Sequence, residues 1–132
     1  MNELIIEAKL ENMDTVLEFV NERIGDCPMK IQNQIGIAVD EIFSNIARYA
    51  YHPEDGGVTV RIAVSDDIAI EFEDSGMAYD PLLSGSPDTT LSAEEREVGG
   101  LGILMVKNIM DSVEYRRDGG KNIVILKKMK QT

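Results

Sequence analysis

The chain has 132 residues, 43% of them hydrophobic and 28% charged, with 13 basic side chains against 24 acidic ones and a formal net charge of −11. That balance argues against DNA or RNA as a direct partner, and a single Cys27 rules out an intrachain disulfide framework, while one Cys with one His argues against a structural zinc site. No apolar run approaches the roughly 20 residues of a membrane span, and the acidic start MNELIIEAKLE lacks the basic n-region of a signal peptide, so the expectation is one cytoplasmic domain over 1–132.

In chain order, LIIEAKL alternates loosely and reads as a first strand. NMDTVLEFVNERIGDCP reads as a helix, with Asn12 or Asp14 near its start and Gly25 and Pro28 at its end. A longer helix follows from about Lys30 to Tyr51, with an apolar stripe at Ile31, Ile35, Ala38, Ile42, Ile46 and Tyr49. His52, read as a surface residue, and Pro53 close it before the turn PEDGG. GVTVRIAVS and DIAIEFED predict a hairpin around Asp66–Asp67. Val58, Val60, Ile62 and Val64 share one face, and Ile68, Ile70 and Phe72 another, with Asp74 on that same inward side. From Ser75 to Gly99 no periodicity is sustained, and a connection of that length in a compact domain reads as a lid or binding loop. A helix from Leu101 to Asp111, a strand SVEYRR, a DGGK turn and a strand NIVILKK complete the chain. The order predicts an α+β fold: a two-layer α/β sandwich whose mixed, mostly antiparallel sheet carries the helices on one face.

Three features carry possible chemistry. Glu41, Asn45 and Arg48 lie at i, i+4 and i+7, one narrow stripe of the long helix. The stripe is either a solvated face or a site wall with a base, an amide oxygen for Mg²⁺ and a guanidinium for phosphate. Asp74 ends a strand next to Gly76; alone, DSG is a turn. GGLG, Gly99–Gly102, opens a helix, an arrangement that serves as a hinge or as a cradle of free amides for an anion. It matches neither the P-loop nor the dinucleotide fingerprint.

In sequence order, DEIFSNIARY, EDSGMAYDP and GGLGILMVKNIMD resemble the N, G1 and G2 boxes of the GHKL ATPase superfamily, to which histidine-kinase catalytic domains belong. The likeness runs from the Lys30 helix to the last strand and is greatest to stand-alone anti-sigma-factor serine/threonine kinases. It implies the Bergerat ATP-binding fold, with ATP and Mg²⁺ as cofactors and residues 80–100 as an ATP lid. Glu41 is then the general base and Asn45 the Mg²⁺ ligand, with Arg48 and Tyr49 beside them. Asp74 accepts from the adenine amino group, and Gly76 allows close approach. Gly100 and Gly102 bring backbone amides to the phosphates, and Gly99, Leu101, Ile103 and Asn122 join the cofactor-binding set. Two positions depart from the pattern: Tyr49 stands where His is common in the anti-sigma kinases, and Lys121–Asn122 where Gly-Thr often precedes the last strand. The implied function is an ATP-dependent protein serine kinase that sequesters a sigma factor and phosphorylates a STAS-type anti-sigma antagonist, as a homodimer, in transcription regulation. The alternatives are a non-catalytic ATP-gated binding module and an orphan histidine-kinase catalytic domain; the second is disfavoured because the sequence shows no phosphoacceptor segment.

Overall fold

Alternation in five short segments and a 3.6-residue stripe in three others decide the architecture. The computed structural model describes residues 2–51, 55–78 and 102–130; the expectations for His52, Pro53, Gly99, Gly100, Leu101 and the 80–100 lid lie outside the described residues. The elements are β1 (Asn2–Glu7), a 3-10 turn (Leu10–Asn12), α1 (Met13–Asn21), α2 (Met29–Tyr49), β2 (Gly57–Val64), β3 (Asp67–Asp74), α3 (Gly102–Ile109), β4 (Ser112–Asp118) and β5 (Lys121–Met129).

The described strands form one sheet in the order β1-β2-β3-β5-β4. Every described pairing is antiparallel, so the parallel component that a mixed sheet allows is not found among them. Cross-strand register lines up Val58, Asp74 and Asn122, then Val60, Phe72 and Val124, then Ile62, Ile70 and Leu126. These rows share one face. Ile31, Ile35 and Ile42 of α2, Val16 and Val20 of α1, and Ile103 and Val106 of α3 join them in one core cluster. Each large aliphatic side chain so buried contributes about 1.5–3 kcal/mol. That burial, rather than intrinsic propensity, holds α2 helical, because the helix contains Gly36 and many β-branched residues.

Local details differ from the sequence expectation in instructive ways. The inward position after Ile46 is Ala50, four residues on and 6% exposed, whereas Tyr49 is 38% exposed. Asn12 precedes α1 but makes no capping bond; its amide donates to Glu7 O at 3.0 Å. The β4–β5 turn has Gly119 and Gly120 at φ +58° and +80°, which matches the left-handed requirement of a type I′ hairpin.

Lys128 sits on the core face of β5 yet is only 7% exposed. Its ammonium donates to Ile109 O, the last carbonyl of α3, at 2.5 Å. A cation is well placed at a helix C-terminus, and the bond offsets the cost of its burial. Asp111 accepts from Met129 N as well, so the end of α3 is anchored to β5. On the opposite face of the sheet Arg61 pairs with Glu3 at 2.8 Å, Glu71 at 2.7 Å and Glu73 at 3.3 Å. Burial works against the Arg61 charge, but the three carboxylates outweigh it and hold the guanidinium protonated.

Candidate active site

The C-terminal half of α2, the end of β3 and the start of β5 surround a small cavity. Ile42, Asn45, Ile46, Ala50, Asp74, Asn122 and Val124 line it, and its volume is about 20 Å³. That holds one water-sized group, the scale of a single amine on the edge of a ligand.

Asp74 reaches this cavity because strand alternation turns it inward after Ile68, Ile70 and Phe72; it is 5% exposed. A buried carboxylate requires donors. Its Oδ1 accepts from Gly76 N at 2.9 Å and from Asn122 Nδ2 at 2.9 Å. Among the described residues no hydrogen bond reaches Oδ2.

Gly76 is needed for a packing reason internal to the chain. A Cβ there would overlap the Ala50 carbonyl, because the loop passes close enough to the end of α2 for Met77 N to donate to Ala50 O at 3.0 Å. Tyr51 fastens the same junction: its hydroxyl donates to Gly57 O at 2.6 Å and accepts from Ser75 N at 2.7 Å.

The three stripe residues of α2 lie at different depths. Asn45 is 3% exposed, Glu41 is half-buried and Arg48 is exposed. Glu41 Oε1 and Asn45 Nδ2 are buried without a partner among the described residues. Such orphans usually have their partner in a ligand, ion or water. Glu41 lies directly against Gly102, the first residue of α3, where any side chain would overlap its carboxylate. Burial pushes the Glu41 carboxyl above its ordinary value, the Arg48 charge pulls it down, and Asp40 pushes it up further. A carboxylate with a raised pKa is a better proton acceptor. The side chain of Ile103 points into the core at 0% exposure, so only its backbone can face a ligand.

Asn122 lies at the Asp74 end of the cavity. Its Nδ2 donates to Asp74 Oδ1 and to Met77 O at 2.8 Å, and its Oδ1 accepts from the Tyr115 hydroxyl at 2.6 Å and from Arg117 at 3.1 Å. Arg117 also donates to Gly76 O at 2.8 Å. Sequence reasoning overlooked Tyr115 and Arg117. A signal was available: SVEYRR alternates, and a two-residue Gly-Gly turn sets Arg117 opposite Asn122.

Comparison with known proteins decides the family. The histidine kinase-like ATPase domain family matches residues 6–128, almost the whole chain. The chain belongs to that family. Among relatives of this histidine kinase-like ATPase domain, the serine-protein kinase RsbW of Bacillus pumilus is 30% identical over 131 residues, 93% of this chain and 76% of that protein. The RsbW of Listeria monocytogenes is 31% identical over 97 residues, covering 69% of this chain and 62% of its relative. The serine/threonine-protein kinase BtrW of Bordetella bronchiseptica is 27% identical, covering 74% of this chain and 70% of that one. In fold the ATPase domain superposes on the blue-light activated histidine kinase of Erythrobacter litoralis with a TM-score of 0.61, 16% identity, and coverage of 91% of this chain and 41% of that one. No described helix is long and apolar enough to cross a membrane.

Proposed function

We propose that this histidine kinase-like ATPase domain is an ATP-dependent protein serine kinase whose substrate is an anti-sigma-antagonist protein, and that it sequesters a sigma factor as a homodimer in the cytoplasm. The names of its RsbW and BtrW relatives support the kinase reading. The observation that carries it is Glu41: a half-buried carboxylate with an orphaned oxygen and a raised pKa, set against the first residue of the helix that follows the glycine cluster. A module that only binds nucleotide has no use for a base there.

The adenine amine would meet Asp74 Oδ2, and the phosphates would extend toward the N-terminus of α3, where free amides and the positive end of the helix favour anions. Glu41 takes the proton from the partner's serine hydroxyl as its oxygen attacks the γ-phosphorus. The bond from that phosphorus to the bridging oxygen breaks, and ADP leaves with the electron pair. Arg48 offsets charge on the transferred group.

A Mg²⁺ ion would be held by the side-chain oxygen of the buried Asn45 and by the nucleotide itself, because the Asn45 nitrogen, which lacks a partner among the described residues, can only donate. When bound, it neutralises phosphate charge.

Incubation with Mg²⁺, γ-labelled ATP and the antagonist protein should transfer label to a serine of that protein. Binding of ATP and antagonist without transfer would overturn the kinase reading in favour of an ATP-gated binding module.

A further inference from the structure

We propose that the β4–β5 hairpin sets the base selectivity of the site, with Asn122 as the positioning residue that aims Asp74 and with Tyr115 and Arg117 holding Asn122 in place. The inference rests on the nucleotide reading above, and it assigns a role to residues outside the three sequence boxes that suggested that reading.

The chemistry of each donor fixes the orientation of the network. A guanidinium can only donate. The Asn122 atom facing Arg117 at 3.1 Å is therefore its amide oxygen, and the Tyr115 hydroxyl, at 2.6 Å, donates to the same atom. The amide nitrogen must then face the other way. There it finds two acceptors, Asp74 Oδ1 at 2.9 Å and Met77 O at 2.8 Å. Rotating the amide by half a turn would set a donor against Arg117 and an oxygen against a carboxylate. The orientation is locked.

That lock acts on Asp74. With Gly76 N and Asn122 Nδ2 both donating to Oδ1, the two lone-pair directions of that oxygen are taken, and rotation about the carboxylate bond would break both bonds. Oδ2 is left as the acceptor for a ligand. A base that presents an exocyclic amine satisfies it. A base with a carbonyl at that position sets oxygen against a buried carboxylate oxygen, and the fixed carboxylate cannot turn away. Arg117, through its second bond to Gly76 O at 2.8 Å, ties the loop that supplies the other donor to the same hairpin. Selectivity therefore comes from how firmly Asp74 is held as well as from its charge.

The test is calorimetric binding of ATP and of inosine triphosphate, which carries a carbonyl in place of the amine, to the full chain with Mg²⁺. The wild type should prefer ATP by about tenfold or more. Asn122→Ala frees Asp74 to rotate, so the preference should fall to about threefold or less, mainly through lost ATP affinity, with the affinity for inosine triphosphate kept within about threefold. Tyr115→Phe keeps the ring and removes one donor, and should lower the preference by about threefold; it decides the question if Asn122→Ala does not fold. A merely structural hairpin would weaken both nucleotides in equal proportion. A selective wild type with an unchanged ratio in a folded variant overturns this proposal alone, whereas a wild type with no preference overturns the base-recognition reading and this proposal with it.

Discussion

Replacing Asp74 by Asn changes one atom of the cavity and leaves the surrounding hydrogen bonds a way to survive. The amide oxygen of Asp74→Asn can take the place of Oδ1 and accept from Gly76 N and Asn122 Nδ2, both now at 2.9 Å. The other carboxylate oxygen, Oδ2, becomes an NH₂ donor. Folding stability should therefore change by less than about 1 kcal/mol. ATP loses a hydrogen bond to a charged acceptor, about 1.5–3 kcal/mol, which corresponds to about 10- to 150-fold in Kd. Inosine triphosphate gains a donor for its carbonyl and should bind more tightly than it does to the wild type. Asp74→Ala separates the two effects. It leaves two buried donors without an acceptor, at about 1–3 kcal/mol each, and so should cost about 2–6 kcal/mol of stability, a large share of the about 5–15 kcal/mol of an ordinary domain. Urea denaturation reads the stabilities and titration calorimetry the affinities. ATP binding to Asp74→Asn within twofold of wild type, or equal stability of the two variants, would refute the reasoning.

Further outcomes follow from Glu41 and from the two closely packed glycines, Gly102 and Gly76. Glu41→Gln should bind ATP and the antagonist normally but lose about 10²–10⁴ in transfer rate, the usual worth of a general base, as read by single-turnover phosphorylation. The acid limb of the wild-type rate profile should lie above the ordinary glutamate value of 4.5, because burial, opposed by Arg48 and reinforced by Asp40, raises the Glu41 carboxyl. In stability the sign is the reverse of the usual carboxylate case. The folded state binds the proton more tightly than the unfolded one, so the Glu41 contribution is complete below the unfolded value and is lost as pH rises to the folded value; denaturation across that window should show Glu41→Gln gaining on the wild type with pH. Gly102→Ala and Gly76→Ala should behave oppositely. The first overlaps the mobile end of Glu41 and should cut transfer about tenfold or more with little change in melting temperature, while the second overlaps the Ala50 backbone and should lower the melting temperature clearly.

By itself the sequence determined what depends on near neighbours. Alternation in GVTVRIAVS and DIAIEFED put Val58, Val60, Ile62 and Asp74 on an inward face, and they are buried there. The stripe from Ile31 to Ile46 predicted the buried side of α2, and Asp-Gly-Gly-Lys predicted a turn, in which both glycines take positive φ. These are short-range matters of period and backbone sterics, legible in one strand or one turn of helix. Tertiary structure alone decided what depends on partners far along the chain. Nothing in the period of NIVILKK says that β5 lies between β3 and β4, yet that placement sets Asn122 beside Asp74, 48 positions away, and brings Tyr115 and Arg117 against Asn122. The stripe of Glu41, Asn45 and Arg48 was visible, but not that these residues are half-buried, buried and exposed in turn, which depends on the elements packed against α2, such as Gly102 of α3 against Glu41. Gly76 was conspicuous as a glycine, but its cause, the Ala50 carbonyl at the end of another element, appears only when the chain is folded. Period is a property of one segment, whereas depth, pairing and desolvation belong to the contact between two.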